Sequence, residues 1–88
     1  MRGGGFGVRV RVLLFAELRE AAGRTDLELE LPEGSTVAGL LAALRQSHPA
    51  LAGPLSRAKV AVGRRIAPEG RRLLPGEEVA LLPPVGGG

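Results

Sequence analysis

The last six residues, Pro83-Pro84-Val85-Gly86-Gly87-Gly88, are the part of this 88-residue chain whose types and order point to chemistry. Glycine lacks a Cβ, so its backbone fits a narrow channel and its carbonyl carbon is unshielded. A loose end has no such need, because Ser, Lys or Glu would serve it equally well. A chain with 14 glycines would place three at a given terminus by chance about 0.4% of the time, and less often at average glycine usage. Pro83 and Pro84 stiffen the exit in an extended form, and six extended residues reach up to about 20 Å. That is enough to carry the terminal carboxylate into another protein's active site. The chemistry such an end supports is acyl activation. An ATP-derived adenylate forms on the Gly88 carboxylate, with Gly87 beside it, and a nucleophile then displaces AMP.

Nothing else in the chain forms a catalytic constellation. There is no Ser-His-Asp grouping, no HExxH and no P-loop. The leading Gly3-Gly4-Gly5-Phe6-Gly7 neither follows a strand nor opens a helix, so it is not a dinucleotide fingerprint. Arg2 followed by glycines makes one RGG-like unit, too little for an RNA-binding segment. The single histidine, His48, reads as a helix-end residue. Cysteine is absent, which excludes disulfide scaffolds, thiol nucleophiles and Cys-based metal sites. No resident metal or cofactor is expected.

Charge narrows the partners. Twelve basic against nine acidic residues give +3, yet the sequence pI is about 11.0. Eleven of the twelve bases are arginine, and almost nothing titrates between about pH 5 and 10. A nucleic-acid surface would need those arginines gathered on one face with aromatic or clamp motifs, and neither is visible. No apolar run approaches the roughly 20 residues of a membrane span, and there is no signal-peptide core. The expectation is a cytoplasmic protein with no nucleic-acid or membrane partner.

The elements that must position the tail follow from periodicity. Residues 1–7 carry no pattern and are expected to be a disordered leader. Residues 8–15 alternate, with Val8, Val10, Val12 and Leu14 on one face and Leu13 and Phe15 on the other, which predicts a strand. Residues 16–22 read as a short helix stopping at Gly23, and residues 25–31 as a second strand pairing with the first. Pro32-Glu33-Gly34 breaks it, Ser35 or Thr36 caps, and Val37, Leu40, Leu41 and Leu44 form the apolar stripe of one main helix ending before His48-Pro49. Residues 50–57 read as loop, 59–62 as a short strand with Val60 and Val62 inward, and 78–82 as the last strand after the Pro75-Gly76 turn. Strand, strand, helix, strand, strand implies an α+β fold, a mixed sheet of four to five strands with one main helix on one face. The first and last strands sit together at its centre, the ubiquitin-like β-grasp arrangement. The domain is expected to span 8–82, with 83–88 a flexible tail.

Strand parity also predicts a docking surface. Leu13, Phe15, Ala80 and Leu82 point away from the helix-covered core, and Ile66 can join them. An apolar patch on an open sheet face beside the root of a reactive tail marks a partner surface.

Three segments carry a family resemblance: residues 10–20 (VRVLLFAELRE), 31–37 (LPEGSTV) and above all 76–88 (GEEVALLPPVGGG). From about residue 8 to the end, the chain resembles the small sulfur-carrier subunit of molybdopterin synthase, the MoaD type within the MoaD/ThiS group. The Pro-Pro-Val-x-Gly-Gly ending is specific to the molybdopterin branch. The resemblance implies that an E1-like enzyme uses ATP to adenylate Gly88 and that sulfur transfer makes a C-terminal thiocarboxylate. The tail then enters the large synthase subunit, where sulfur passes to cyclic pyranopterin monophosphate to form the molybdopterin dithiolene. On this reading the chain is a non-catalytic sulfur donor within a heteromeric enzyme, binding no cofactor itself. By position, Phe15, Ile66 and Leu82 match the family's apolar docking residues and Arg19 the arginine after the first strand. Pro83, Pro84, Val85 and Gly86 form the inserted tail. Two positions depart from the pattern. Gly63 replaces a usual Asn, from which a changed turn is expected, and Gly86 replaces Ser, Thr or Ala. The leader lies outside the pattern. Two other readings remain at this point: a carrier serving tRNA thiolation, thiamine synthesis or conjugation to protein lysines, and a β-grasp binding module whose tail does no chemistry.

Overall fold

The computed structural model describes residues 7–84; the leader up to Phe6 and the tail residues Val85, Gly86, Gly87 and Gly88 lie outside the described residues. The elements are β1 (Gly7–Leu14), α1 (Ala16–Ala22), β2 (Asp26–Pro32), α2 (Val37–Ser47), a 3-10 turn (Pro49–Leu51), α3 (Ala52–Leu55), β3 (Lys59–Val62), β4 (Arg65–Ile66) and β5 (Glu78–Leu82). They build one five-stranded sheet in the order β2-β1-β5-β3-β4. β1 and β5 run parallel, with Val12 opposite Val79 and Leu14 opposite Leu81, while β1–β2, β5–β3 and β3–β4 are antiparallel. This is the expected β-grasp sheet, with the first and last strands side by side at its centre. β1 starts at Gly7, paired with Pro32, so Gly7 belongs to the sheet and not to the leader.

Alternation decides which face is covered. Val8, Val10, Val12, Leu14, Leu27, Leu31, Val60, Val62, Val79 and Leu81 are buried together with Leu18 of α1 and Val37, Leu40, Leu41 and Leu44 of α2. Thr36 caps α2 by accepting from the Gly39 amide at 3.3 Å. The carbonyls of Arg71 and Glu69 accept from the Val37 and Ala38 amides at 2.9 Å each. The loop before β5 thus satisfies helix donors that would otherwise be orphaned.

Residues 50–57 are not the plain loop that Pro49, Gly53 and Pro54 imply. The 3-10 turn and α3 bury Leu51 and Leu55, four residues apart on one side of a turn of helix. Proline is tolerated there because first-turn amides lack partners anyway. Arg57 then pairs with Glu17 at 2.9 Å, fastening this segment to α1.

The β3–β4 connection is the two-residue turn Gly63-Arg64, with φ of 60° and 70° between the paired Val62 and Arg65. Two left-handed residues in a hairpin define a type I′ turn, which Asn and Gly both favour at its first position. Gly63 therefore serves the turn that Asn would serve, and no altered turn is required. The loop into β5 is closed differently. Arg71 donates twice to the Glu77 carboxylate, at 2.8 and 2.9 Å, and the Leu74 amide donates to the same carboxylate at 2.8 Å. The Arg71 hydrogen bonds hold the Glu77 carboxyl below its usual range, the Leu74 amide acting in the same direction and partial burial against it.

Two outcomes test this account. A Cβ at Gly39 meets nothing nearer than 3.9 Å, so Gly39→Ala should raise stability by about 0.5–1 kcal/mol, whereas Gly63→Ala should lower it by about 1 kcal/mol through its left-handed φ. Thermal unfolding of the pair checks the opposite signs. Because Glu77 binds protons less readily folded than unfolded, its contribution is complete at neutral pH and is lost as pH falls below about 4.5. Glu77→Gln should lower Tm by a few degrees at pH 7, and the gap from wild type should narrow on acidification.

Candidate functional site

The described chain leaves the sheet at Leu82, the last residue of β5, and continues through Pro83 and Pro84. Proline cannot donate to a ladder, so pairing stops there and the tail leaves from a central strand. Its root is flanked by β1 on one side and β3 on the other.

The sheet face away from the helices carries a continuous row. Asp26 lies opposite Leu13, Leu13 opposite Ala80, Ala80 opposite Ala61, and Ala61 opposite Ile66. Residues directly opposite share a face, so this row crosses all five strands at one level. One step nearer the tail, Leu82 lies opposite Lys59. Phe15 remains extended, with φ −128° and ψ 154°, and the β1–β5 register continued by one residue past Leu14–Leu81 sets it beside Leu82. Phe15 is 40% and Ile66 63% exposed, while Leu13, Ala80 and Leu82 are half-buried. The structure therefore brings Phe15 and Leu82 together at the tail root. Ile66 belongs to the same face, on β4, two strands across from the β5 of Leu82.

A left-handed residue holds Phe15 in place. Ala16 has φ 52°, a conformation costing a non-glycine residue about 1–2 kcal/mol. It turns the chain from the open face across to the covered one, where Leu18 is fully buried, and the Phe15 carbonyl accepts from the Leu18 amide at 3.0 Å. Arg19 sits in the last turn of α1 and lines a shallow hollow of about 420 Å³ with Phe15, Leu13 and Asp26. Beyond the apolar row the face turns polar. Arg11 pairs with Asp26 at 3.0 Å and with Glu78 at 3.9 Å.

Sequence reasoning placed Leu13, Phe15, Ile66, Ala80 and Leu82 on this face and left out Ala61 and Lys59. The signal was present: with Val60 and Val62 inward, Lys59 and Ala61 must face out. His48 caps α2 and its Nδ1 lies 2.8 Å from the Ser47 hydroxyl, a helix-end role. Among the described residues no helix is long and apolar enough to cross a membrane.

Residues 12–88 match the ThiS family. The chain belongs to that family. This ThiS-family chain is 39% identical over 82 residues, covering 92% of itself and 99% of the relative, to the molybdopterin synthase sulfur carrier subunit of Mycobacterium tuberculosis. Among solved structures it superposes on small archaeal modifier protein 1 of H. volcanii with a TM-score of 0.84 and 31% identity, covering 90% of this chain and 100% of that one. It also superposes on the chain of Helicobacter pylori described as a complex of subunits 1 and 2 of molybdopterin-converting factor. There the TM-score is 0.68 at 23% identity, over 92% of this chain and 100% of that one, a likeness of fold. The match to the family includes Gly88, the position that the sequence singles out for chemistry.

Phe15→Ala should change stability by less than about 1 kcal/mol, whereas Leu14→Ala, one residue earlier and buried, should cost about 2–5 kcal/mol. Denaturant unfolding of the two variants measures both, and a Phe15 cost equal to that of Leu14 would place Phe15 in the core.

Proposed function

We infer that this ThiS-family chain is the sulfur carrier subunit of molybdopterin synthase, with the Gly88 carboxylate as the group that holds sulfur. The observation that carries this reading is the parallel β1–β5 pairing. It sets the root of a Pro-Pro-Val-Gly-Gly-Gly ending beside an apolar open face, in a chain resembling carrier subunits over nearly its whole length. An E1-like enzyme transfers AMP from ATP to the Gly88 carboxylate and releases pyrophosphate. Hydrosulfide then attacks the carbonyl carbon, AMP leaves with the bonding electron pair, a proton is released, and a thiocarboxylate remains. Docked on the large synthase subunit, the tail donates that sulfur to cyclic pyranopterin monophosphate.

The work of this chain's own residues is binding and delivery. Phe15 and Leu82 remove apolar surface from water at the tail root, which drives association. Ile66 extends the contact across the sheet, and Arg19 supplies charge at its border. Pro83 and Pro84 restrict the free tail, so less conformational entropy is lost when it enters a channel. Cytoplasmic ATP fits this reading, and the chain itself binds no cofactor. A second reading, attachment of Gly88 to protein amines, is favoured by the likeness to a protein named a modifier. It shares the adenylation step and differs in the nucleophile.

Intact mass after incubation with ATP, an E1-like enzyme and a sulfur source separates these. The expected result is an oxygen-to-sulfur exchange, lost on deletion of Gly88. An unchanged mass under conditions that thiolate a control carrier would refute the carrier reading. Amide-linked adducts in place of the exchange would select the modifier reading.

A further inference from the structure

Lys59 is the one lysine of a chain whose other eleven basic residues are arginine. It opens β3 directly opposite Leu82, so its side chain shares the open face with Leu82 at the point where the tail leaves the sheet. Lys59 is exposed and has no ion-pair partner among the described residues, unlike Arg11, Arg57 and Arg71. Arg19, at the same end of the sheet beside Phe15, is also unpaired among the described residues.

The charges of this face are segregated along the strands. Towards the starts of β1 and β5, two arginines, Arg9 and Arg11, meet three carboxylates, Glu28, Glu30 and Glu78, so that end is net acidic, while Asp26 sits in the row, level with Leu13. The tail end carries Lys59 and Arg19 around Phe15 and Leu82. The apolar row Leu13–Ala80–Ala61–Ile66 lies between the two ends. A partner covering the row is therefore held in one orientation by charge, since reversing it sets like charges together.

We propose that Lys59 is a docking residue that pairs with a carboxylate on the large synthase subunit at the mouth of the channel receiving the tail. The proposal deepens the carrier reading and rests on it. On the free chain, Lys59 is solvated and contributes little. When the apolar row is covered, the amine loses water, and a facing carboxylate compensates while fixing the register of Leu82, from which the tail is aimed. The aliphatic stem of Lys59 packs beside Leu82 while its ammonium reaches the rim.

The test is calorimetric titration of the full-length chain with the large subunit, in wild type, Lys59→Glu, Lys59→Arg and Phe15→Arg forms, at about 50 mM and about 500 mM salt. Lys59→Glu should weaken Kd about tenfold at low salt and much less at high salt, while Lys59→Arg stays within about twofold of wild type. A uniquely placed lysine permits a second measurement on the unmutated chain. Acetylation, which removes the charge, should weaken binding, and reductive methylation, which keeps it, should not; the N-terminal amine reacts in both. Wild-type affinity for Lys59→Glu, or an equal loss in Lys59→Arg that persists at high salt, would overturn the proposal. If Phe15→Arg loses binding while Lys59→Glu does not, the docking face stands and the Lys59 inference falls. If Phe15→Arg also binds normally, the docking-face reading fails and takes the inference with it.

Discussion

The parallel pairing of β1 with β5 is the constraint on which the rest of the molecule depends. It joins residues almost seventy positions apart, Val12 with Val79 and Leu14 with Leu81. Closing so long a loop is entropically costly, and the buried valines and leucines under the paired strands compensate for it. Because the strands run in the same direction, their C-terminal ends lie at the same edge. Phe15, α1 and the tail root are neighbours for that reason alone.

The same pairing divides the molecule into a covered face and an open one. β1, β2, β3 and β5 contribute alternate residues to a core beneath α1, α2 and α3, β4 adds none, and the intervening residues line the open face. Segregation of that surface into an acidic end, an apolar row and a tail end with Lys59 and Arg19 costs the fold little. The exposed ion pairs of Arg11 are each worth a few tenths of a kcal/mol, so these positions are available to specify partners. Ala16 shows a different balance. Its left-handed conformation opposes stability, and it persists because burial of Leu18 and extension of Phe15 must both be met within three residues.

Most of this is legible in the sequence, because a period of two is hard to mistake where valines and leucines alternate with arginines and glutamates. β3 and β5 have the bounds expected of them, and α2 lies between the expected cap and the expected proline. What escapes are features set by contacts across the chain. The helical turn over Leu51 and Leu55 is hidden by prolines that normally break helices. The capping of α2 by carbonyls of residues 69 and 71 joins segments whose meeting no local pattern announces, and the Arg71–Glu77 clamp closes a loop whose side-chain geometry no periodicity encodes. For the candidate site, Phe15 and Leu82 follow from parity and Ile66 from the family resemblance, while Lys59 gains meaning only through its register with Leu82. Residues 85–88, to which the proposed function assigns the chemistry, stand out from composition alone.

The central claim is that the chain presents its tail to a partner through the open face of the sheet. NMR cross-saturation from the unlabelled large subunit to the labelled full-length chain tests it most directly. Saturation should concentrate at Leu13, Phe15, Ala61, Ile66, Ala80 and Leu82 and spare the solvent side of α2. Saturation confined to α2 or to the outer edge of β2, with the open face silent, would contradict it.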